Sequence, residues 1–459
     1  MNTPGDTAMI RTTHAASIPA VIQAAARPLR PGEAADYDPL LHLIGDARFV
    51  LLGEASHGTH EFYRERAQIT KRLILEKGFN AVAVEADFPD AQRVNQFVRG
   101  LGGDKDAIDS LGGFQRFPAW MWRNADVLDF IGWLRAHNDS IRSPLEKTGF
   151  YGLDLYSLNT SMNAVLTYLD KIDPPAAKRA RERYSCFNCY GGDTQRYGFD
   201  VATGVGSSCE DEAVSQFVEL FSRSAELAGL DGRVAADDFF NAEQNARLVK
   251  NAEQYYRTMY RSDVSSWNLR DSHMTQTLFA LEGHLATLYR QTPKIVVWEH
   301  NSHLGDARAT DMTRRGEWNV GQLVRQRRRK DAVLVGFTTA QGTVTASSDW
   351  GGEAERKRVR RPISGSVESL FHQTGIPRFL LLLRGEARLK AALQQPLLER
   401  AIGVIYRPDT ERFSHYFHTR LADQFDAVIH FDETRAVEPL ERTSLWEAGE
   451  APETFPSGI

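Results

Sequence analysis

Glu54 and His57 lie three residues apart between Gly53 and Gly58. That spacing suits a carboxylate steadying an imidazole. A histidine titrating near neutrality is a natural general base for water, and a neighbouring carboxylate fixes its tautomer and raises its basicity. Other ionisable groups follow apolar runs further along the chain. Glu85 and Asp87 follow Ala81-Val-Ala-Val84, Asp154 follows Phe150-Tyr-Gly-Leu153, and Glu299-His300-Asn301-Ser302-His303 follows Ile295-Val-Val-Trp298. A second histidine or an arginine in such a group stabilises an oxyanion as it forms. The same donors could instead hold a metal, with His57, Glu85, His300 and His303 as ligands, although the spacing His300-x-x-His303 is not diagnostic. Each residue also has an ordinary reading. Asp154 is a common helix-starting residue, Arg66 and Arg123 are common ion-pair partners, and Trp120 and Trp122 are natural packing residues or pocket walls.

Several other chemistries lack their motifs. Ser56 is not in a Gly-x-Ser-x-Gly elbow, which disfavours a covalent serine mechanism. There is no Gly-x-Gly-x-x-Gly and no phosphate-binding loop, so nucleotide cofactors have no support and none is expected. Cys186-x-x-Cys189 has no second pair to complete a zinc site. With Cys209 the cysteines number three, too few for a disulfide framework, so they read as structural or incidental in a reducing, cytoplasmic setting. With 55 basic and 60 acidic side chains the net charge is −5, which argues against a nucleic-acid partner. No run approaches the ~20 apolar residues of a membrane helix. The basic runs Arg325–Lys330 and Arg356–Arg361 read as solvated charge, the first at a helix end. Nothing in the pattern fixes an oligomeric state.

The elements that must position these groups follow from hydrophobic periodicity. Short apolar runs at 48–53, 80–85, 150–154, 293–298, 331–336, 401–406 and 425–429 predict strands. Helical patterns fall between them, at 18–26, 59–77, 90–98, 118–137 and 160–169. This alternation predicts an α/β fold with a largely parallel central sheet flanked by helices. Strand signals nearly stop over 172–292. There an irregular stretch at 173–206 precedes long helical patterns at 210–228, 237–261 and 267–290, read as a large helical insertion or cap. In open α/β sheets ligands bind beyond the carboxyl ends of the strands. Residues 54, 85, 154 and 300 stand at such ends and must meet in one cleft, so the whole chain, 1–459, reads as one domain with its middle inserted.

The same positions carry a family resemblance. Gly53-Glu-Ala-Ser-His-Gly-Thr-His-Glu-Phe62, Phe117-Pro-Ala-Trp-Met-Trp-Arg-Asn124, Gly149-Phe-Tyr-Gly-Leu-Asp-Leu-Tyr-Ser157, Ser266-Trp-Asn-Leu-Arg-Asp271 and His300-Asn-Ser-His-Leu-Gly-Asp-Ala-Arg308 resemble the erythromycin esterase family. The match is closest to its broad, poorly characterised branch, some of whose members are named succinoglycan biosynthesis proteins. The resemblance implies hydrolysis of a small-molecule ester or lactone, a macrolide lactone among them, by activated water without a metal. It implies His57 as general base and Glu54 and Glu85 orienting it and the water. Arg66 would support them, and His300 and His303 would complete the site. Arg123, Asp154 and Trp122 are the expected substrate contacts. A metal-dependent hydrolase and a non-catalytic binding protein of the same fold are the competing readings.

Overall fold

The computed structural model describes residues 17–223, 233–289 and 292–449. The start of the N-terminal lead-in, positions 224–228 of one expected helix and Arg290 of another lie outside them. The strands are β1 (Arg27–Pro28), β2 (Phe49–Leu52), β3 (Ala81–Asp87), β4 (Gly149–Asp154), β5 (Ile295–Trp298), β6 (Ala332–Ala346), β7 (Glu355–Val359), β8 (Arg378–Leu382), β9 (Leu397–Arg400), β10 (Tyr416–Thr419) and β11 (Ala427–Thr434).

Nine of these strands form one sheet in the order β1-β8-β11-β6-β2-β5-β3-β4, with β7 pairing off β6. The run from β11 through β6, β2, β5 and β3 to β4 is parallel. β1, β7 and β8 pair antiparallel at the far side. The fold is therefore α/β with a mixed, mostly parallel sheet. Leu52 and Val84 are both in register with Trp298, so Glu54, Glu85 and Glu299 emerge at the same edge.

The central strands are apolar throughout because both faces are covered. Alternate residues serve opposite layers. Val50, Leu52, Val82, Val84, Val296 and Trp298 pack beneath the helices His60–Lys77 and Ala125–Asp139. Phe49, Leu51, Ala83 and Val297 face the other way, onto Leu248, Leu278, Leu281 and Leu285 of the helices Arg233–Met259 and Asp263–Tyr289. The helical insertion thus covers a face of the sheet as well as reaching its carboxyl edge.

Several expectations need correction. The stretch 401–406 is not a strand. It pairs with its neighbours through single bridges, Ser56 to Ile402 and Ser347 to Ile405, and not through a ladder. Residues 173–206 are not irregular: Asp173 and Asp193 cap the helices Pro174–Tyr184 and Thr194–Ala202 by accepting from backbone N–H groups. The helix expected from Pro118 begins instead at Ala125, where the Asn124 side chain accepts from Val127 N–H. Strands β7 to β10 were missed; only one face of β7 is buried, and β9 and β10 are four residues each. Cys186 and Cys209 form a disulfide, leaving Cys189 exposed and free. The paired thiols lie 23 residues apart on separate segments of the chain, so spacing alone could not reveal the bond. The cysteines therefore no longer argue for a reducing compartment. Nor is the basic run simply solvated, since Arg325 pairs with Asp426 at 2.8 Å and Arg328 with Glu282. No helix among the described residues is long and apolar enough to cross a membrane.

Candidate active site

β2 ends at Leu52 and delivers Glu54 and His57 in a loop stitched to residues 401–404. Ile402 N–H donates to Ala55 O at 2.8 Å and His57 N–H to Ile402 O at 3.2 Å. Gly53 and Gly58 are needed there for close approach. A Cβ on Gly53 would come within 2.2 Å of the Asn301 amide oxygen, and one on Gly58 within 1.8 Å of the Thr345 carbonyl oxygen.

His57 Nδ1 lies 2.9 Å from Glu54 Oε1, so Nδ1–H donates to the carboxylate and the Nε2 lone pair is left facing the cleft. Behind Glu54, the buried Arg66 guanidinium forms an ion pair at 2.7 Å. It lies over the rings of Tyr63 and Trp298. Across the cleft, His57 Nε2 is 3.9 Å from Glu85 Oε1, and the His57 and His300 rings are 4.8 Å apart.

Glu85 is the hub of the far wall. It accepts from Arg270 Nη2 at 2.7 Å and from His300 N–H at 2.8 Å, and lies 3.4 Å from His303 Nε2. Burial alone would raise its pKa, but His303, His57, Arg270 and the His300 N–H together hold it well below the usual carboxylate range. Arg270 also grips Asp154 through two bonds of 3.0 and 2.7 Å. It outweighs the burial of Asp154 and lowers that carboxyl too.

The histidines differ in state. His300 begins the short helix Asn301–Leu304 and its Nδ1 accepts from Ser302 N–H at 3.2 Å, which leaves the proton on Nε2. That Nε2 forms no hydrogen bond of good geometry, although the Ala55 carbonyl lies near. Burial, with His57 beside it, keeps His300 neutral well below its ordinary pKa. His303 donates from Nδ1 to Asp271 at 2.9 Å and stacks on Trp267 with ring centroids 4.5 Å apart. Burial opposes its charge, but Asp271 and Glu85 raise its pKa.

The cavity these groups face has a volume of about 280 Å³ and is lined by His57, Glu85, Asp154, His300 and His303. Trp122 also lines it. Glu54 and Arg66 stand behind His57. Arg123 is not brought in; its guanidinium is turned away to pair with Glu441. Sequence reasoning missed Arg270 and Asp271. Both lie on a helix of the insertion, and only their place in the Ser266–Asp271 motif could have flagged them. It also missed the role of Glu299, which is buried with both carboxylate oxygens unpartnered. Burial first, then Glu85 and Asp271, push its pKa far up, which favours the neutral acid behind the site.

Among the described residues no group of three or more His, Cys, Asp or Glu side chains has the geometry to hold a metal. Glu85, the central member of the alternative ligand set, has its oxygens engaged by a guanidinium and a backbone N–H. These donors do not fit a metal ion.

Fold and site together define an α/β protein with a buried acid–base cleft, part of whose wall comes from a helical insertion. The chain belongs to the erythromycin esterase family, whose sequence signature matches residues 74–434. It is 33% identical to erythromycin esterase type II from Escherichia coli over 378 residues, 76% of this chain and 84% of that one. A crystal structure of a Bacillus cereus protein shares the fold with a TM-score of 0.76 at 21% identity, covering 92% of this chain and 98% of that one. A succinoglycan biosynthesis protein does so with a TM-score of 0.72 at 21% identity, covering 92% and 97%. Membership makes the chain a hydrolase of the esterase or lactonase type.

Proposed function

We propose that the chain hydrolyses a small-molecule ester or lactone with water activated by His57. The observation that carries this reading is the His57 ring itself. Its Nδ1–H is fixed on Glu54, and its Nε2 is open to a cavity between Glu85 and His300. A water held between Nε2 and Glu85 gives its proton to Nε2 as it attacks the carbonyl carbon. The carbonyl oxygen gains charge, which in this reading the Nε2–H of neutral His300 meets. The imidazolium then returns the proton to the leaving alkoxide, so the ester is divided into acid and alcohol. Glu54 and its partner Arg66 orient the base. Arg270 and His303 keep Glu85 ionised and in place, and Trp122 and Asp154 border the substrate.

Macrolide lactones belong to the substrate class, given the relative named an erythromycin esterase. The whole chain acts as one domain in this reading, because the insertion contributes Arg270 and Asp271. A cytoplasmic location is part of the proposal and cell fractionation tests it. The central experiment is a panel of esters and lactones, erythromycin included, run on the unaltered protein and on His57→Ala. Loss of about two to four orders of magnitude in kcat with an unchanged fold supports His57 as base. Full turnover by the variant refutes it, and binding without any turnover by the unaltered protein favours a non-catalytic binder.

A further inference from the structure

The cavity has a second wall that the hydrolytic chemistry does not use. Asp87, Asp90, Phe114, Arg116, Tyr156 and Trp350 line it alongside His57 and His300. Asp87 is only 6% exposed, and its Oδ2 accepts from Arg116 Nε at 2.8 Å while its Oδ1 has no partner. Asp90, one helical turn on, makes no hydrogen bond or salt bridge among the described residues.

The cations around Asp90 are already matched. Arg93 pairs with Asp104 at 2.6 Å. Arg116 is shared between Asp87, the Phe117 carbonyl and the face of the Tyr156 ring. Arg270 is taken by Glu85 and Asp154. Asp90 therefore lines the cavity without a hydrogen-bonded partner, and the buried Asp87 Oδ1 stands unpartnered in the same wall, beside aromatic rings whose faces attract cations. A neutral acyl group would leave both without a partner, which is costly at a desolvated wall.

We propose that this wall is an ammonium subsite, so that the substrate is an ester or lactone bearing a protonated amine. The assignment rests on the cleft being the substrate site, but not on His57 being the base. The amine would lie against Asp90 and Asp87, with Trp350 and Phe114 as the apolar sides of its seat. Burial, and then the charge of Asp87, raise Asp90 to about 7, with Arg116 and Arg93 opposing. The subsite is therefore expected to fill as the pH rises through neutrality and to empty as it falls.

The test uses binding, so that it does not depend on turnover. Tryptophan fluorescence of the whole protein is titrated with choline and with its uncharged carbon isostere, 3,3-dimethylbutan-1-ol. The expected result is a preference for choline of about tenfold, the order of one cation–π contact with an adjacent carboxylate. That preference should fall several-fold between about pH 8 and about pH 6, and should approach unity in Asp90→Asn. His57→Ala should retain it, which separates failure of the subsite from failure of the proposed base. Equal affinities for the two probes in the unaltered protein, or choline binding too weak to detect, overturn the proposal. So does a preference that survives in folded Asp90→Asn. If Asp90→Asn does not fold, the pH comparison on the unaltered protein decides: a preference indifferent to pH over that range refutes the role of Asp90.

Discussion

Replacing Arg270 with methionine keeps much of the side chain's reach and removes its charge. In the native protein this guanidinium makes two bonds to Asp154, one to Glu85 and one to His303 Nε2 at 3.0 Å. Glu85 keeps other support in the variant, from the His300 N–H and His303. Asp154 keeps little beyond the Leu155 N–H at 2.8 Å. Breaking a buried pair by removing one partner costs about 3–5 kcal/mol, because the other charge stays behind without its solvent. The sign with pH follows from the native state. Glu85 and Asp154 are both held below their ordinary pKa, so they contribute stability above about pH 4 that is lost as the pH falls through their folded values. In Arg270→Met burial acts on Asp154 almost unopposed and lifts its pKa. The cost is then greatest at neutral pH and shrinks as Asp154 takes up a proton, to about half by about pH 5. Urea unfolding of both proteins at the two pH values measures it. Adding Asp154→Asn should recover a large part of the loss at neutral pH. A penalty below about 1 kcal/mol, or one equal at both pH values, refutes the assignment of Arg270 as the charge that holds Asp154 ionised.

Other outcomes follow from the same geometry. Glu54→Gln should lower kcat about a hundredfold with little change in KM, because the proposed base, His57, loses the carboxylate on its Nδ1; steady-state kinetics on any turned-over ester checks this. Gly58→Ala should cost about 2–3 kcal/mol in denaturant unfolding, since its Cβ would meet the Thr345 carbonyl oxygen at 1.8 Å. His300 should remain neutral as the pH falls through 6, while His303 becomes protonated above its ordinary value. Ring-carbon chemical shifts followed from about pH 8 to about pH 5 would show both, and a His300 that titrates in that range contradicts a neutral ring protonated at Nε2.

The parts of this molecule legible in the sequence are those written in local pattern. Phe49-Val-Leu-Leu52 and Ile295-Val-Val-Trp298 announce buried strands because both faces must be apolar, and the polar residues after them mark the carboxyl edge. That logic brings Glu54, His57, Glu85, Asp154, His300 and His303 together. It fails where structure depends on distant partners. Ala401–Tyr406 has the composition of a strand, yet it spends its backbone bonds one at a time on the His57 loop and on Ser347. Arg378-Phe-Leu-Leu-Leu382 is a strand whose pattern is clear only once β11 lies beside it. Arg123 resembled a site residue by its motif, and Glu441, 318 positions away, draws it off. Arg270 and Asp271 are hidden for the opposite reason: a long helix with mixed polarity does not announce which of its turns enters the cleft.

That helix has a consequence for how such enzymes diversify. The carboxyl ends of β3 and β4 supply the cleft with Glu85 and Asp154, while Arg270, on the inserted segment, supplies the charge that makes both tolerable. A graft that exchanged the insertion for another in search of a new substrate would also remove the neutraliser. The chimaera would then fail in folding before its selectivity could be assayed, unless the donor segment brought an arginine to the same turn.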